Sequence, residues 1–273
     1  MDQHSIAIIG GGHMGGAVLL GLIADGYKPG LLWLADPNSE RLSQFENTSI
    51  FTTLHNEDAV KNAQTIVLAI KPQNMRKVAL EIAPLLKNEQ LIISIAAGIQ
   101  IKDLRRWLDS SVTIIRAMPN TPAMVGSGAT AMYGLNLKKQ DKNRAESIMR
   151  AVGMVVWLEN EELMDTVTAL SGSGPAYFFL VMEIMEKIGI EQGLDANTAR
   201  LLTLQTAFGA AKIALESPDD VTTLRARVTS PGGTTEQAMK IFQERQLEDI
   251  YRAALKAAQQ RARELATLLG NEL

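Results

Sequence analysis

Two glycine-rich stretches of this sequence have the composition to hold an anion on backbone N–H groups. One is Gly10-Gly11-Gly12-His13-Met14-Gly15. The other is Val228-Thr229-Ser230-Pro231-Gly232-Gly233-Thr234-Thr235, which has no ionisable side chain. Directly after the second, Glu236 to Phe242 reads as the start of a helix. A loop of small residues opening a helix leaves N–H groups unpaired, and such a place suits a carboxylate or phosphate. The same residues also suit a capped helix start with a tight turn. The sequence contains no cysteine, which excludes disulfides, thiolate nucleophiles and cysteine-ligated metals. Its three histidines, His4, His13 and His55, all lie in the first 55 residues and argue against a histidine-rich metal site. No metal is expected.

The elements around the first stretch give it a meaning. Ser5-Ile6-Ala7-Ile8-Ile9 is nearly all apolar, as expected of a strand buried on both faces of a parallel sheet. From Gly16 to Asp25, Ala17, Val18, Leu20, Gly21 and Ala24 recur at helical spacings. Strand, G-x-G-x-x-G and helix in this order form the dinucleotide fingerprint. Gly10 makes the tight turn, Gly12 admits a pyrophosphate, and Gly15 lets the helix pack on the strand. His13 borders the cofactor as a loop-surface residue rather than a proton donor. A second strand, Leu31 to Ala35, ends at Asp36, about twenty residues after Gly15, where an acid often binds a ribose 2′-hydroxyl. Asn38, Ser39 and Arg41 follow and could instead hold a 2′-phosphate. They also suit a turn capping the helix that begins near Glu40.

Further strands are expected at Ile50–Thr52, Thr65–Ile70, Leu91–Ile95, Val112–Ala117, Ala129–Tyr133 and Met154–Leu158. A short helix follows Asn56, and amphipathic segments include Val78–Leu86, Ile101–Leu108 and Asp141–Val152. This alternation predicts a doubly wound Rossmann-type parallel sheet, with ligands beyond the carboxyl ends of its strands. The segments there are Gly10–Met14, Asp36–Ser39, Ala69-Ile70-Lys71-Pro72, Ile95–Gly98 and Met118–Pro122. Lys71 is read as a strand terminator, its ammonium exposed or facing phosphates, with general-base or Schiff-base chemistry as the alternative. Pro119 and Pro122, three apart in the segment Arg116–Gly128, forbid a regular helix and suggest a cavity wall, with a rigid link into the strand at Ala129–Tyr133 as the alternative.

After Leu158 the texture becomes helical, and the domains are expected at 1–160, nucleotide-binding, and 161–273, all-helical. Ser171-Gly172-Ser173-Gly174-Pro175 interrupts or kinks one helix. Ala176–Gln192 starts apolar nearly all round, Ala196–Glu216 is alanine-rich, and Asp249–Leu269 is a last long helix. So thin a helical domain is expected to pack against a second copy of the chain.

The chain has 273 residues, 46% of them hydrophobic and 21% charged, with net charge −3. Nothing in that balance asks for nucleic acid or an anionic membrane. The start lacks the basic region of a signal peptide, and no stretch reads as a membrane span, so a cytoplasmic protein is expected.

With these residues in hand, the chain resembles pyrroline-5-carboxylate reductase over essentially its whole length. The matching pieces are Gly10–Gly15, Ala69–Pro72, Arg116–Pro122, Ala169-Leu170-Ser171-Gly172-Ser173-Gly174-Pro175-Ala176-Tyr177, and Val228–Thr235 continuing to Ala238. In order and spacing together they are highly specific. The resemblance implies hydride transfer from NADPH, with NADH the alternative, to the C=N carbon of 1-pyrroline-5-carboxylate. The product is L-proline, at the last step of its biosynthesis. It implies an interlocked homodimer through an all-α dimerisation domain, and in larger assemblies a decamer. The active site would join one subunit's nucleotide domain to the partner's helical domain. Carried over residue by residue, Ser230, Gly232, Gly233 and Thr234 hold the substrate carboxylate through backbone amides. Thr235, the catalytic residue, hydrogen-bonds the ring nitrogen, and Glu161 lies near the substrate. With the residues read above, the cofactor site comprises Gly10, Gly12, His13, Met14, Asp36, Asn38, Arg41, Asn56, Ala69, Ile70, Lys71, Pro72, Ile95, Ala96 and Ala97. Two departures stand out: His13 replaces a common asparagine, and Asp36 stands where many members carry a small hydroxyl or basic residue.

The chemistry is within reach of such a site. Hydride addition to C=N needs a protonated nitrogen, a fixed carboxylate and a nearby nicotinamide, and positioning alone can supply roughly 7–11 kcal/mol. The alternatives are a two-domain 3-hydroxyacid dehydrogenase and a non-catalytic NAD(P)-sensing protein. The first usually needs a lysine in the helical domain, yet Lys187 and Lys212, the lysines between 160 and 235, adjoin no glycine loop.

Overall fold

The computed structural model describes residues 3–108 and 111–271. One eight-stranded sheet is built from β1 (Ile6–Ile9), β2 (Leu32–Ala35), β3 (Phe51–Thr53), β4 (Thr65–Leu68), β5 (Leu91–Ser94), β6 (Thr113–Met118), β7 (Gly128–Gly134) and β8 (Gly153–Trp157). The strand order is β3-β2-β1-β4-β5-β6-β7-β8. Helices α1 (His13–Ala24), α2 (Ser39–Ser43), α3 (Asn56–Asn62), α4 (Pro72–Ile82), α5 (Ile101–Leu108) and α6 (Lys139–Arg150) alternate with the strands. Then come α7 (Leu163–Val167), α8 (Gly174–Glu191), α9 (Ala196–Glu216), α10 (Val221–Arg227), α11 (Thr234–Glu244) and α12 (Leu247–Asn271).

The sheet is Rossmann-type, and every ladder is parallel except β6–β7. A parallel return needs a crossover of about a dozen residues. The proline-stiffened segment between Met118 and Gly128 holds instead a single 3-10 turn, Thr121–Val125, and sends the chain straight back. Strands β1, β4 and β5 are buried at every position. Their alternate residues feed two cores: Ile6 and Ile8 face one, Ala7 and Ile9 the other. Each such branched side chain contributes about 1.5–3 kcal/mol by leaving water. That makes the centre of the sheet the rigid frame from which the strand-end loops project.

The chain divides into two compact units, one of 3–173 with the end of α12 from Ala258, the other Gly174–Ala257. Composition changes near 160, whereas compactness changes at Ser173 and again inside the last helix. The interruption expected at Ser171–Pro175 is a π-turn, Thr168–Gly172, in which the Ser173 N–H donates to Thr168 O at 2.8 Å. Pro175 is tolerated in the first turn of α8, where its missing N–H has no partner to lose. The helical path therefore runs on, and Leu163–Glu191 is long and apolar enough to cross a membrane by length and composition alone. This differs from the expectation that no stretch reaches the length of a membrane span.

The second unit has little core of its own. Asp195 and Asp220 cap α9 and α10, accepting from Thr198 N at 3.1 Å and Thr223 N at 2.7 Å, and so pair donors that the helix starts leave open. Of its residues, Gly174, Ala199 and Thr203 alone are buried, while Phe178, Phe179, Leu201, Leu202 and Phe208 are exposed.

Candidate functional site

The strand order reverses between β1 and β4, and the first glycine loop sits there. Gly10 N–H donates to Ala35 O at 2.7 Å, and Ala69 N–H to Ile9 O at 2.8 Å, so the loop leaves the sheet between the ends of β2 and β4. Gly10 has φ +107°, and a methyl added there would strike the Ala69 carbonyl. A methyl on Gly15 would strike the Gly10 carbonyl, whereas nothing lies within 4 Å of one on Gly12. The three glycines thus take the roles assigned from spacing: turn, open approach and close packing. Helix α1 starts at His13, three residues earlier than expected, with Gly12 as its cap. Its first N–H groups face outward, positive end first.

Around the loop lies a cavity of about 1440 Å³. Its walls include Gly10, Gly12, His13, Met14, Asp36, Arg41, Asn56, Ala69, Ile70, Lys71, Pro72, Ile95, Ala96 and Ala97. Asn38 is not in the wall; its Oδ1 accepts from Glu40 N at 2.9 Å and caps α2. Lys71 caps α4 with Pro72 as the first helical residue, which explains the Lys-Pro pair without catalysis. Met124, Val125, Gly126, Gln44 and Lys77 also line the cavity. Met124, Val125 and Gly126 belong to the segment expected to form a cavity wall, whereas Gln44 and Lys77 carry no sequence signal.

Asp36 is almost fully buried, and its carboxylate is spoken for. Oδ2 accepts from Gly11 N at 2.7 Å and Arg41 Nη1 at 3.1 Å, and Oδ1 from Asn38 N at 2.9 Å. A buried carboxylate needs such partners. Arg41 is half-exposed and keeps its other donors at the cavity edge.

Beyond the cavity, Arg116 on β6 is buried and pairs with Glu161 at 2.8 Å. Glu161 Oε1 also accepts the Ile101 N–H that opens α5, at 2.8 Å. Asp165 lies beside this pair: burial raises its carboxyl above the usual range, and Arg116 and Arg263 oppose the shift. Asn120 ties the proline segment down, donating to Ser171 O at 3.1 Å and accepting from Ala129 N at 2.9 Å. Arg116 and Ile101 stand 45 and 60 residues from Glu161, so no local pattern links them to it, and Asp165, one helical turn after Glu161, belongs to no motif.

In the second unit, α11 begins at Thr234 with Gly233 as cap, two residues before the expected start. Gly232 takes φ +73°, a conformation that favours glycine. Gly233 N–H donates to Ser230 O at 3.0 Å, and Gly232 N–H to Glu236 Oε2 at 2.8 Å. The first-turn N–H groups of Thr234, Thr235 and Glu236 have no intrahelical partner to reach. Thr235 sits in that turn, partly buried. Glu236, which the sequence reading passed over, puts the chain's own carboxylate where an anion would sit. The predicted substrate residues thus divide: Glu161 belongs to the first unit, Ser230 to Thr235 to the second.

Comparison with known proteins matches two families along the chain, and the second takes in both Glu161 and Ser230 to Thr235. A family described as pyrroline-5-carboxylate reductase dimerisation matches residues 161–265, and one described as NADP oxidoreductase, coenzyme F420-dependent, matches 5–98. Pyrroline-5-carboxylate reductase of Pseudomonas aeruginosa is 44% identical over 99% of this chain and 100% of its own length. The structure of a pyrroline-5-carboxylate reductase from Coxiella burnetii is 42% identical, covers 97% of this chain and 99% of its own, and has a TM-score of 0.92. That of Plasmodium falciparum pyrroline carboxylate reductase with NADP bound is 29% identical over 97% and 99%, with a TM-score of 0.86. On the strength of the full-length identity, the chain belongs to the pyrroline-5-carboxylate reductase family.

Proposed function

We propose that this chain reduces 1-pyrroline-5-carboxylate to L-proline as an NAD(P)H-dependent oxidoreductase, the last step of proline biosynthesis, in the cytoplasm. The observation that carries the proposal is the cavity at the strand-order reversal, walled by every predicted cofactor residue except Asn38. The bound reduced nicotinamide supplies the hydride. The chain's own residues hold and orient. First-turn N–H groups of α11 take the substrate carboxylate, and Thr235 directs its hydroxyl to the ring nitrogen, first the iminium and then the product amine. A threonine hydroxyl is a poor acid, so Thr235 positions rather than protonates, and substrate arrives already protonated from solution.

NADPH is the proposed cofactor, with NADH the alternative. Asp36 is satisfied inside the protein by Gly11, Asn38 and Arg41, which leaves its oxygens little to offer a ribose hydroxyl. Arg41 keeps free donors at the cavity edge for a 2′-phosphate. The exposed apolar faces of α8 and α9 support an interlocked homodimer, extended in a decamer to five such pairs. In it, each substrate loop serves the cofactor bound by the partner subunit.

One assay tests the reaction: oxidation of NADPH and of NADH followed by absorbance, with pyrroline-5-carboxylate against a panel of 3-hydroxy and 3-keto acids. Turnover with pyrroline-5-carboxylate, faster with NADPH, is expected. Turnover confined to the acid panel would replace the proposal, and light scattering that finds a monomer would remove its dimer.

A further inference from the structure

Glu161 joins the far end of one cavity loop to the strand beside the loop's start. That loop, residues 95–100, joins β5 to α5, and its Ile95, Ala96 and Ala97 line the cofactor cavity. It begins after Ser94, whose neighbour in the β5–β6 ladder is Arg116. It ends at Ile101, the first residue of α5. A single carboxylate oxygen, Glu161 Oε1, accepts from Arg116 Nη1 and from Ile101 N, each at 2.8 Å. Between these anchors Gly98, at φ +75°, packs against Leu269 and Ala266 of α12.

The energetics favour a structural tie that persists. The Arg116 guanidinium is buried and would lose its hydrogen-bonded carboxylate without Glu161, leaving the neighbouring Asp165 to face it. The Ile101 N–H is one of the donors that a helix start leaves unpaired, and a carboxylate is its preferred acceptor. Hydrogen bonds to a charged group are the stronger kind. We propose that Glu161 is a positioning residue for the cofactor: it fixes the Ile95–Gly98 loop by tying Ile101, where the loop ends, to Arg116 on the strand paired with the loop's start. This role differs from the nearness to substrate that family resemblance implies, and it makes a different prediction. It rests on the proposed reaction only for the substrate arm of its test.

The test measures NADPH binding to the full-length protein without substrate, by fluorescence titration, beside steady-state kinetics with pyrroline-5-carboxylate. Glu161→Ala should weaken NADPH binding by about tenfold, the scale of a lost charge-assisted bond. Glu161→Gln keeps an acceptor for Ile101 and should weaken it by about two- to threefold, a rescue by the conservative change. In both variants KM for pyrroline-5-carboxylate should stay within about twofold of the parent at saturating NADPH. Unchanged NADPH affinity in Glu161→Ala with a raised substrate KM would overturn the proposal. If circular dichroism shows Glu161→Ala unfolded, Glu161→Gln decides alone: weaker NADPH binding supports the tie, and parental binding overturns it. A wild-type protein that binds NADPH yet leaves pyrroline-5-carboxylate unreduced would refute the reaction while the binding arm still judges Glu161.

Discussion

At Gly11 a loop N–H donates to the buried carboxylate of Asp36; at Gly232 a loop N–H donates to the exposed carboxylate of Glu236. Both loops are glycine-rich, both open a helix, and both have an acid of the chain standing beside the anion position. Their surroundings differ. The first loop is wedged between strand ends in a sheet whose central strands are wholly buried, and Asp36 has three donors around it. The second lies in a unit with almost no buried side chains, and its acid sits on the surface. A loop locked by backbone contacts suits a large cofactor that must bind in one register. A loop whose carboxylate partner is exposed suits a small anionic substrate that enters and leaves at each turnover.

The sharpest way to break this comparison is to add bulk. Gly15→Val forces carbon into the Gly10 carbonyl and should cost about 3 kcal/mol of stability, seen as a lower denaturation midpoint. Gly12→Val meets open space, so it should fold normally and lose NADPH binding instead. Equal stability losses in the two variants would deny them separate roles. In the second loop, Thr235→Ala should lower turnover by roughly ten- to a thousandfold, the range of a lost positioning contact. Unaltered steady-state kinetics would remove Thr235 from the site.

A smaller effect concerns the exposed acid. Glu236→Gln removes a negative charge beside the Gly232 N–H, so KM for pyrroline-5-carboxylate should fall by about two- to fivefold. A rise would make Glu236 a helper rather than a competitor. The smallest effect is in pH. Burial raises the Asp165 carboxyl in the folded state, so the fold binds its proton more tightly than the unfolded chain does. The resulting stability is complete below the ordinary aspartate value of about 4 and is lost as pH rises through the raised value. Asp165→Asn has no such dependence. Wild-type stability relative to this variant should therefore decline over that window, and chemical denaturation at several pH values measures it.

Much of the first loop was legible because local pattern carries it: apolar strand, glycine spacing, helix, and the acid after β2. The antiparallel β7 was not, since it follows from how few residues separate Met118 from Gly128 rather than from any strand pattern. Asn38 shows the limit of local pattern, because an Asx residue before a helix fits a phosphate ligand and a cap alike, and its Oδ1 caps α2. Glu161 was visible only through resemblance. Its bonds to Arg116 and Ile101 join residues 45 and 60 positions apart, which no periodicity reveals. The second unit showed its helices readily, and its lack of core was foreshadowed by α8, apolar on nearly every face.

Complementation between subunits tests most directly whether the two loops serve one reaction across a dimer. Gly12→Val and Thr235→Ala chains, each nearly inactive alone, would be co-expressed with different affinity tags and the mixed dimer purified. Each mixed dimer should contain one intact site, joining the good cofactor loop of one chain to the good substrate loop of the other. Its NADPH-dependent reduction of pyrroline-5-carboxylate should reach about half that of wild type. A mixed dimer no more active than its two parents would contradict the shared site.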